Sequence, residues 1–197
     1  MQAKAMIQTA AATLILTAAA SWGSMIWTFS STNVQGWKDQ TGNPAAFTTA
    51  WTGYNSIKVN STWTTLQLYT TGLNQVVSST SDYVQFNTAL DEGVSGHNPY
   101  TFTLTTSGGN EYSYVLIPNN GGGGSFINKK LNLLTDLANT NTSGPALAIG
   151  ATVTGLKFST YVANSTIYLA DVILAVPEPA SLALLALGGC CLLRRRR

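Results

Sequence analysis

Short runs of alternating apolar and polar residues recur along the chain between positions 26 and 174. Such alternation predicts β-strands, because successive side chains of a strand point to opposite faces of the sheet. The predicted strands cover residues 26–30, 56–59, 63–69, 83–87, 100–104, 111–117, 156–162 and 166–174. Segments rich in Gly, Asn and Pro separate many of them, as turns require. The pattern therefore predicts an all-β fold, an antiparallel β-sandwich or barrel.

One segment, residues 130–137, has a second interpretation. Leu131, Leu134 and Leu137 recur at a spacing of three, which is compatible with a helix. Leu131-Asn132-Leu133 also alternates, and we favour a strand followed by a turn.

The first 20 residues have the pattern of a secretory signal peptide. Lys4 precedes an apolar stretch over 10–20, and that stretch ends in three consecutive alanines. We predict a signal helix that signal peptidase removes before Ser21. The alternative is an Ala-rich helix buried in the fold.

The C-terminal residues 176–197 have a different pattern in three parts. The triplet Pro177-Glu178-Pro179 precedes an apolar run over 180–193, and the chain closes with Arg194, Arg195, Arg196 and Arg197. A helix of 14 residues reaches about 21 Å, short of the roughly 30 Å hydrocarbon core of a bilayer. The arginines favour the cytoplasmic side of a membrane. The tail therefore predicts a short hydrophobic helix that holds the chain in a membrane.

Between these segments, residues 21–175 have the length of one domain. This domain holds five Lys against seven Asp and Glu, a net charge of 5 − 7 = −2, because every Arg lies in the tail. Nucleic-acid binding needs clustered Lys and Arg, so we predict no nucleic-acid partner. Both cysteines, Cys190 and Cys191, also lie in the tail.

The tail resembles the PEP-CTERM sorting signal in all three parts. That resemblance implies recognition by an exosortase-type membrane protease in a Gram-negative bacterium that produces extracellular polysaccharide. It also implies transient anchoring in the inner membrane, followed by location at the cell surface or outside the cell. A permanent C-terminal anchor is the alternative.

The body, residues 26–174, has a second resemblance. Trp27-Thr28-Phe29 and the turn Val34-Gln35-Gly36-Trp37 resemble the opening of galactose-binding-like jelly rolls. The segment 166–174 resembles the last strand of carbohydrate-binding modules of that class. Ala170 departs from the family pattern, which has an acid there. The resemblance implies a jelly-roll sandwich of glycan-binding type.

Residues suited to catalysis are few in this domain. His97 is the single histidine and lies in a Gly-His-Asn-Pro turn, which is typical of a solvated loop residue. Asp91 and Glu92 are adjacent and, in an extended chain, would point to opposite faces, which does not suit an acid–base pair. We predict that the protein is not an enzyme, and keep a polysaccharide-active enzyme as a remote alternative.

Aromatic residues are the candidate ligand-binding groups, because sugar rings stack on them while polar side chains bind the hydroxyls. Trp37 and Trp63 are predicted to fill the core. Trp51 and Tyr54 flank Gly53 in a predicted loop and form the candidate exposed pair. Ordinary packing of these two rings is an equal alternative.

The carbohydrate-binding-module resemblance also implies a structural calcium at Asp171, held against the first strand. Calcium requires six to eight oxygen ligands, of which one carboxylate supplies a part. The alternative is a solvated acid on an edge strand.

The sequence as a whole predicts an exported surface or matrix protein with a glycan-binding-type jelly roll and exopolysaccharide as a partner. A purely structural surface or biofilm component without a specific ligand is the main alternative.

Overall fold

A computed structural model describes residues 24–49, 54–61, 65–91, 98–117, 127–162 and 164–176. Within these ranges the chain forms β-strands and turns and no helix. The strands are β1 (Ser24–Trp27), β2 (Lys38–Asp39), β3 (Ala46–Thr48), β4 (Ser56–Ser61), β5 (Leu66–Val76), β6 (Tyr83–Asp91), β7 (Tyr100–Thr106), β8 (Glu111–Leu116), β9 (Ile127–Asn132), β10 (Ala138–Asn139), β11 (Thr152–Thr160) and β12 (Ser165–Ala175).

The strands form two antiparallel sheets. In the first sheet the order is β3-β4-β12-β6-β9, and β1 also pairs with β12; in the second the order is β10-β8-β7-β11-β5-β2. The prediction of an all-β fold with antiparallel sheets is therefore confirmed. The predicted signal helix and C-terminal helix lie outside the described residues. In the part of the chain that the structure describes, no helix has the length and hydropathy to cross a membrane.

The core lies between the two sheets and follows from the alternation of the strands. Phe86 of the first sheet meets Phe102 and Phe158 of the second, with ring centroids 5.1 Å and 4.9 Å away. The Phe102 and Phe158 centroids are 5.2 Å apart. All three side chains are fully buried. Each aromatic side chain in such a cluster removes 150–250 Å² of surface from water, so this trio is a major stabilising element.

The predicted turn before Trp37 is also present. Gln35 and Gly36 both have positive φ, 51° and 80°, and the Trp37 amide donates to the Val34 carbonyl over 3.1 Å. Gly tolerates this backbone conformation without strain. The turn directs Trp37 into the core, where its edge-to-face neighbours are Trp27 at 6.0 Å and Phe29 at 6.4 Å. Trp63 lies outside the described residues.

The segment with two interpretations is a strand followed by a turn, as predicted. β9 ends at Asn132, whose side-chain oxygen accepts hydrogen bonds from the amides of Leu134 and Thr135. In return, the Asn132 amide donates to Asp136 Oδ2 over 2.8 Å. These local bonds compete with a helix, so the leucine spacing of three does not decide the structure.

β12 is an interior strand and corrects the edge-strand interpretation of Asp171. On one side it pairs with β6; on the other it pairs first with β4, over 165–169, and then with β1, over 172–175. Asp171 lies where the partner changes, in a bulge with φ of 49°. The alternation pattern shows that the strand exists but does not show how many neighbours it has.

Candidate functional site

The outer face of the second sheet is lined by polar side chains, and we call it the open face. On β5, β7 and β11, Leu68, Leu104 and Phe158 point into the core, and the residues between them point outward. The outward residues are Gln67, Tyr69, Thr101, Thr103, Thr105, Glu111, Ser113, Lys157 and Ser159. Because β8, β7, β11 and β5 are consecutive neighbours in the sheet, these residues form one continuous surface.

The strand register aligns four of these residues in one row. Thr103 lies opposite Ser113 on one side and Lys157 on the other, and Lys157 lies opposite Tyr69. Directly opposite side chains in an antiparallel pair are about 5 Å apart at Cβ. A hydroxyl, a second hydroxyl, an ammonium group and a phenol ring thus follow one another across four strands.

An ion pair crosses the open face. Lys157 Nζ lies 3.0 Å from Glu111 Oε1, and the side chains are 25% and 39% exposed. The pair connects β11 with β8 across β7, above Thr103, which is almost fully buried. Both charged groups remain partly accessible to a ligand on this face.

A cavity of about 330 Å³ lies beside this row, on the side of Thr105 and Gly155. Its lining includes Tyr69, Thr105, Glu111, Gly155 and Lys157. Gly155 follows the bulge in β11, and a Cβ at this position would lie 3.0 Å from the Thr70 carbonyl oxygen. A side chain here would require the neighbouring backbone to give by a few tenths of an ångström, so glycine suits the close approach of the two strands beside this cavity.

The turn after β2 borders the open face beside Tyr69. A Cβ on Gly42 would lie 3.8 Å from Tyr69 Oη. Asp39 Oδ1 accepts hydrogen bonds from the Thr41 amide at 2.8 Å, the Thr41 hydroxyl at 2.7 Å and the Asn43 amide at 3.0 Å. Burial favours the neutral acid, but these hydrogen bonds outweigh it and lower the pKa of Asp39. The carboxylate therefore fixes the turn next to the tyrosine.

Along the strands, at the end of the open face away from the cavity, the surface becomes apolar. Val115 lies opposite Thr101, and Thr101 lies opposite Ser159. Two residues further along the same face are Ile117 and Tyr161, since alternate residues share a face. Tyr161 is 80% exposed and Ile117 is 65% exposed. An exposed ring at this end can stack on a sugar.

The predicted aromatic pair does not belong to the open face as far as the structure describes it. Tyr54 lies just before β4 of the first sheet and is exposed. Trp51 lies outside the described residues, as do Glu92 and His97. Asp91 ends β6, also in the first sheet. The Trp51–Tyr54 platform remains a prediction.

Asp171 participates in a chain of side-chain hydrogen bonds on the first sheet. Asn87 Nδ2 donates to Asp171 Oδ2 over 3.1 Å, and Asn128 Nδ2 donates to Asn87 Oδ1 over 2.7 Å. Among the described residues, no group of three or more His, Cys, Asp or Glu side chains could hold a metal ion. The calcium site remains a prediction.

Sequence reasoning did not identify Tyr69, Glu111 and Lys157 as one site. Alternation within β5 and β11 places Tyr69 and Lys157 on the polar side of their strands, and this signal was available. The order of β8, β7, β11 and β5 in the sheet could not be inferred from the sequence, because these strands are separated by up to about 90 positions.

The C-terminal segment matches a known protein family. Residues 175–197 match the PEP-CTERM protein-sorting motif. The chain carries a PEP-CTERM sorting tail. The resemblance stated from the Pro-Glu-Pro triplet, the apolar run and the arginines is therefore confirmed. The motif marks the chain as an exported protein that is processed at the membrane.

The sandwich is similar to solved structures. An exo-β-agarase matches with a TM-score of 0.51 at 13% identity, over 81% of this chain and 25% of the agarase. A family 11 carbohydrate-binding module from Clostridium thermocellum matches with a TM-score of 0.46 at 14% identity, over 80% and 90% of the two chains. A carbohydrate-binding module specific for non-crystalline cellulose has a TM-score of 0.47 at 17% identity, over 70% and 86%.

These similarities concern the fold alone, since the identities are low. This chain spans about a quarter of the agarase. No curated protein sequence matches the chain.

Proposed function

We propose that this protein is a non-enzymatic, exosortase-sorted surface or matrix protein whose jelly-roll domain binds a polysaccharide on the open face. The observation that carries this proposal is the row Ser113–Thr103–Lys157–Tyr69, which runs across four strands. Ser113, Lys157 and Tyr69 of this row present hydrogen-bonding groups and an aromatic ring on one surface beside a cavity, while Thr103 is almost fully buried.

The chemistry of the open face suits a neutral or mildly anionic glycan. Hydroxyls of Thr and Ser and the amide of Gln67 can both donate and accept, as sugar hydroxyls do. Lys157 adds a charged donor, and a hydrogen bond to a charged group contributes about 1.5–3 kcal/mol. Tyr69 and Tyr161 lie toward opposite ends of the face and supply rings for stacking.

The same face supports binding rather than catalysis. Glu111 is the single carboxylate among the residues lining the cavity, and Lys157 holds it at 3.0 Å. Glycoside hydrolysis generally needs two carboxyl groups about 5–9.5 Å apart. A lone carboxylate paired with an ammonium group lacks the second acid. A polysaccharide-active enzyme is therefore the less favoured function.

Binding is tested with residues 21–176, the exported domain without its tail. On a glycan array, the wild-type domain should bind at least one polysaccharide. Replacing Tyr69 or Tyr161 by Ala should weaken that binding by about 1–3 kcal/mol, the contribution of a stacked ring. Tyr54→Ala is the matched control, because Tyr54 is exposed but lies on the first sheet.

The outcomes separate the candidate functions. A loss with Tyr54→Ala and no loss with the other two variants would move the site to the predicted Trp51–Tyr54 loop. An absence of binding to every glycan would favour the structural surface component.

The sorting tail is tested by intact-mass analysis of the protein from its native host. Processing by an exosortase-type protease predicts a surface product without Arg194 to Arg197. A surface population that retains all four arginines would identify a permanent anchor instead.

A further inference from the structure

The first and last described strands of the sandwich are paired with each other. Ser24 of β1 lies opposite Ala175 of β12, and Trp27 lies opposite Val172. Antiparallel partners are about 4.5–5.5 Å apart at Cα. The chain therefore enters the sandwich at Ser24 and leaves it after Ala175 side by side, at the same end.

Both segments outside this end are predicted to enter a membrane, the first of them before signal peptidase removes it. Three residues, 21–23, separate the predicted signal peptide from Ser24, and the matched sorting motif begins at residue 175. Three residues span at most about 11 Å, even fully extended. Residues 21–23 and the Pro177–Pro179 triplet are each three residues long, so each can separate the sandwich from the next apolar segment by no more than this distance. We call the end of the sandwich around Ser24 and Ala175 the tethered end.

Four loops lie at the tethered end. They cover residues 77–82, 107–110, 133–137 and 147–151. Backbone hydrogen bonds connect them: the Leu133 amide donates to the Asp82 carbonyl over 3.0 Å, and the Gly150 amide donates to the Val77 carbonyl over 2.8 Å. These bonds connect loops 77–82, 133–137 and 147–151, and the Ser107 amide donates over 2.9 Å to the carbonyl of Thr152, the residue after loop 147–151.

The chemistry of this surface suits contact with lipid. The four loops contain two charged residues, Asp82 and Asp136, and Asp82 is almost fully buried. Asp82 Oδ2 accepts from the amides of Ser78 and Ser79, and Asp136 accepts from Asn132. The remaining loop residues are small, polar or apolar, and Ile149 is 56% exposed. Placing such a surface against a bilayer therefore desolvates little charge.

We propose that the tethered end faces the lipid bilayer in the anchored precursor, with Ile149 at the headgroup level. β12 has 11 residues, so the strands rise about 35 Å from this end. Tyr161 lies after the end of β11 that is remote from the tethered end, which directs it away from the membrane. This orientation keeps the Tyr161 end of the open face accessible while the protein is still attached. The inference rests on the sorting motif and the strand register, and is independent of glycan binding.

The test uses the signal-processed precursor, residues 21–197, in liposomes that carry a nitroxide quencher on the lipid headgroup. Cys190 and Cys191 are first replaced by Ala, and a fluorophore is attached to Ile149→Cys or, as the matched control, to Tyr161→Cys. Both positions are exposed, so neither substitution should disturb the core. We expect quenching at position 149 to exceed that at position 161 severalfold. Equal quenching, or stronger quenching at 161, would overturn the orientation.

A second arm tests whether the short tether causes this orientation. A long Gly-Ser linker is inserted between Val176 and Pro177 in both labelled proteins. The difference in quenching should then disappear, because a flexible chain allows the domain to rotate. A difference that survives the linker would show that the loops bind lipid by themselves and would overturn the tether as the cause. Glycan binding by the tail-free domain is measured separately and can fail without affecting this result.

Discussion

Lys157 Nζ lies 3.0 Å from Glu111 Oε1, and this contact joins β11 to β8 across the strand between them. Because both side chains are partly exposed, the pair contributes less than about 1 kcal/mol to stability. Its position on the open face gives it a larger expected role in binding than in folding.

We therefore expect Lys157→Met to weaken polysaccharide binding by about 1.5–3 kcal/mol, the loss of a charged hydrogen-bond donor. The melting temperature should change little. Titration calorimetry with a glycan identified on the array measures the affinity. Lys58→Met is the matched control, since Lys58 lies on the first sheet. Unchanged affinity in Lys157→Met would argue against the open face as the binding site.

Trp37 should be essential for the core. Its side chain is fully buried among Trp27, Phe29 and Phe158, so Trp37→Ala should cost about 3–5 kcal/mol in the free energy of unfolding. Trp37 Nε1 is buried and lacks a hydrogen-bond partner in the described structure. Trp37→Phe removes this unpaired donor, which partly offsets the lost volume, and should cost about half as much or less. Urea unfolding compares the two, and a loss for Trp37→Phe as large as that for Trp37→Ala would contradict this account.

Tyr100 should make the fold sensitive to alkaline pH. Burial raises the pKa of Tyr100 from 10.0 to about 12, and the nearby Thr88 hydroxyl acts in the opposite direction but is outweighed. The folded state thus disfavours the phenolate. The contribution of neutral Tyr100 to the free energy of unfolding is fully present below pH 10. It is lost as the pH rises from 10 to about 12.

The shift corresponds to about 3 kcal/mol over that interval. Tyr100→Phe should remove this loss, so its free energy of unfolding should decline less between the two pH values. Tyr54→Phe removes an exposed phenol and serves as the control. Parallel curves for Tyr100→Phe and the wild type would contradict the effect of burial.

The backbone conformation at position 171 should limit which residues can replace Asp171 without loss of stability. Its φ of 49° suits Asn, which visits the left-handed region readily, but not a β-branched residue. We expect Asp171→Asn to be nearly neutral and to keep an acceptor for Asn87, whereas Asp171→Val should cost about 1–2 kcal/mol.

Thermal unfolding with calcium or with a chelator measures both variants. A chelator should leave the difference between them unchanged. If Asp171→Asn lost stability only in the presence of calcium, the metal site implied by the family resemblance would be established, and our expectation of neutrality would be wrong.

Local features of the sequence determined much of this protein. The alternation in residues 83–87 and 100–104 depends only on which neighbours are apolar, and the structure has strands at both places. The turn before Trp37 could be predicted because Gly36 permits a positive φ. The sorting tail was recognisable because its signal is a linear motif, which needs no folded partner.

The short strands β2, β3 and β10 were not predicted, because two or three residues carry no detectable period. The sequence also did not predict that β12 pairs with β4 before Asp171 and with β1 after it. This change of partner depends on β1 and β4, which are far from β12 in sequence and share one of its edges.

The sequence by itself determined the β-rich character of the domain and the motif that sorts it, since both are encoded in neighbouring residues. The tertiary structure alone decided that Tyr69, Lys157 and Glu111 share one face and that Ser24 meets Ala175. The physical reason is that strand order follows from burying the apolar faces of all the strands together. That requirement depends on the whole chain, so no single segment determines the strand order.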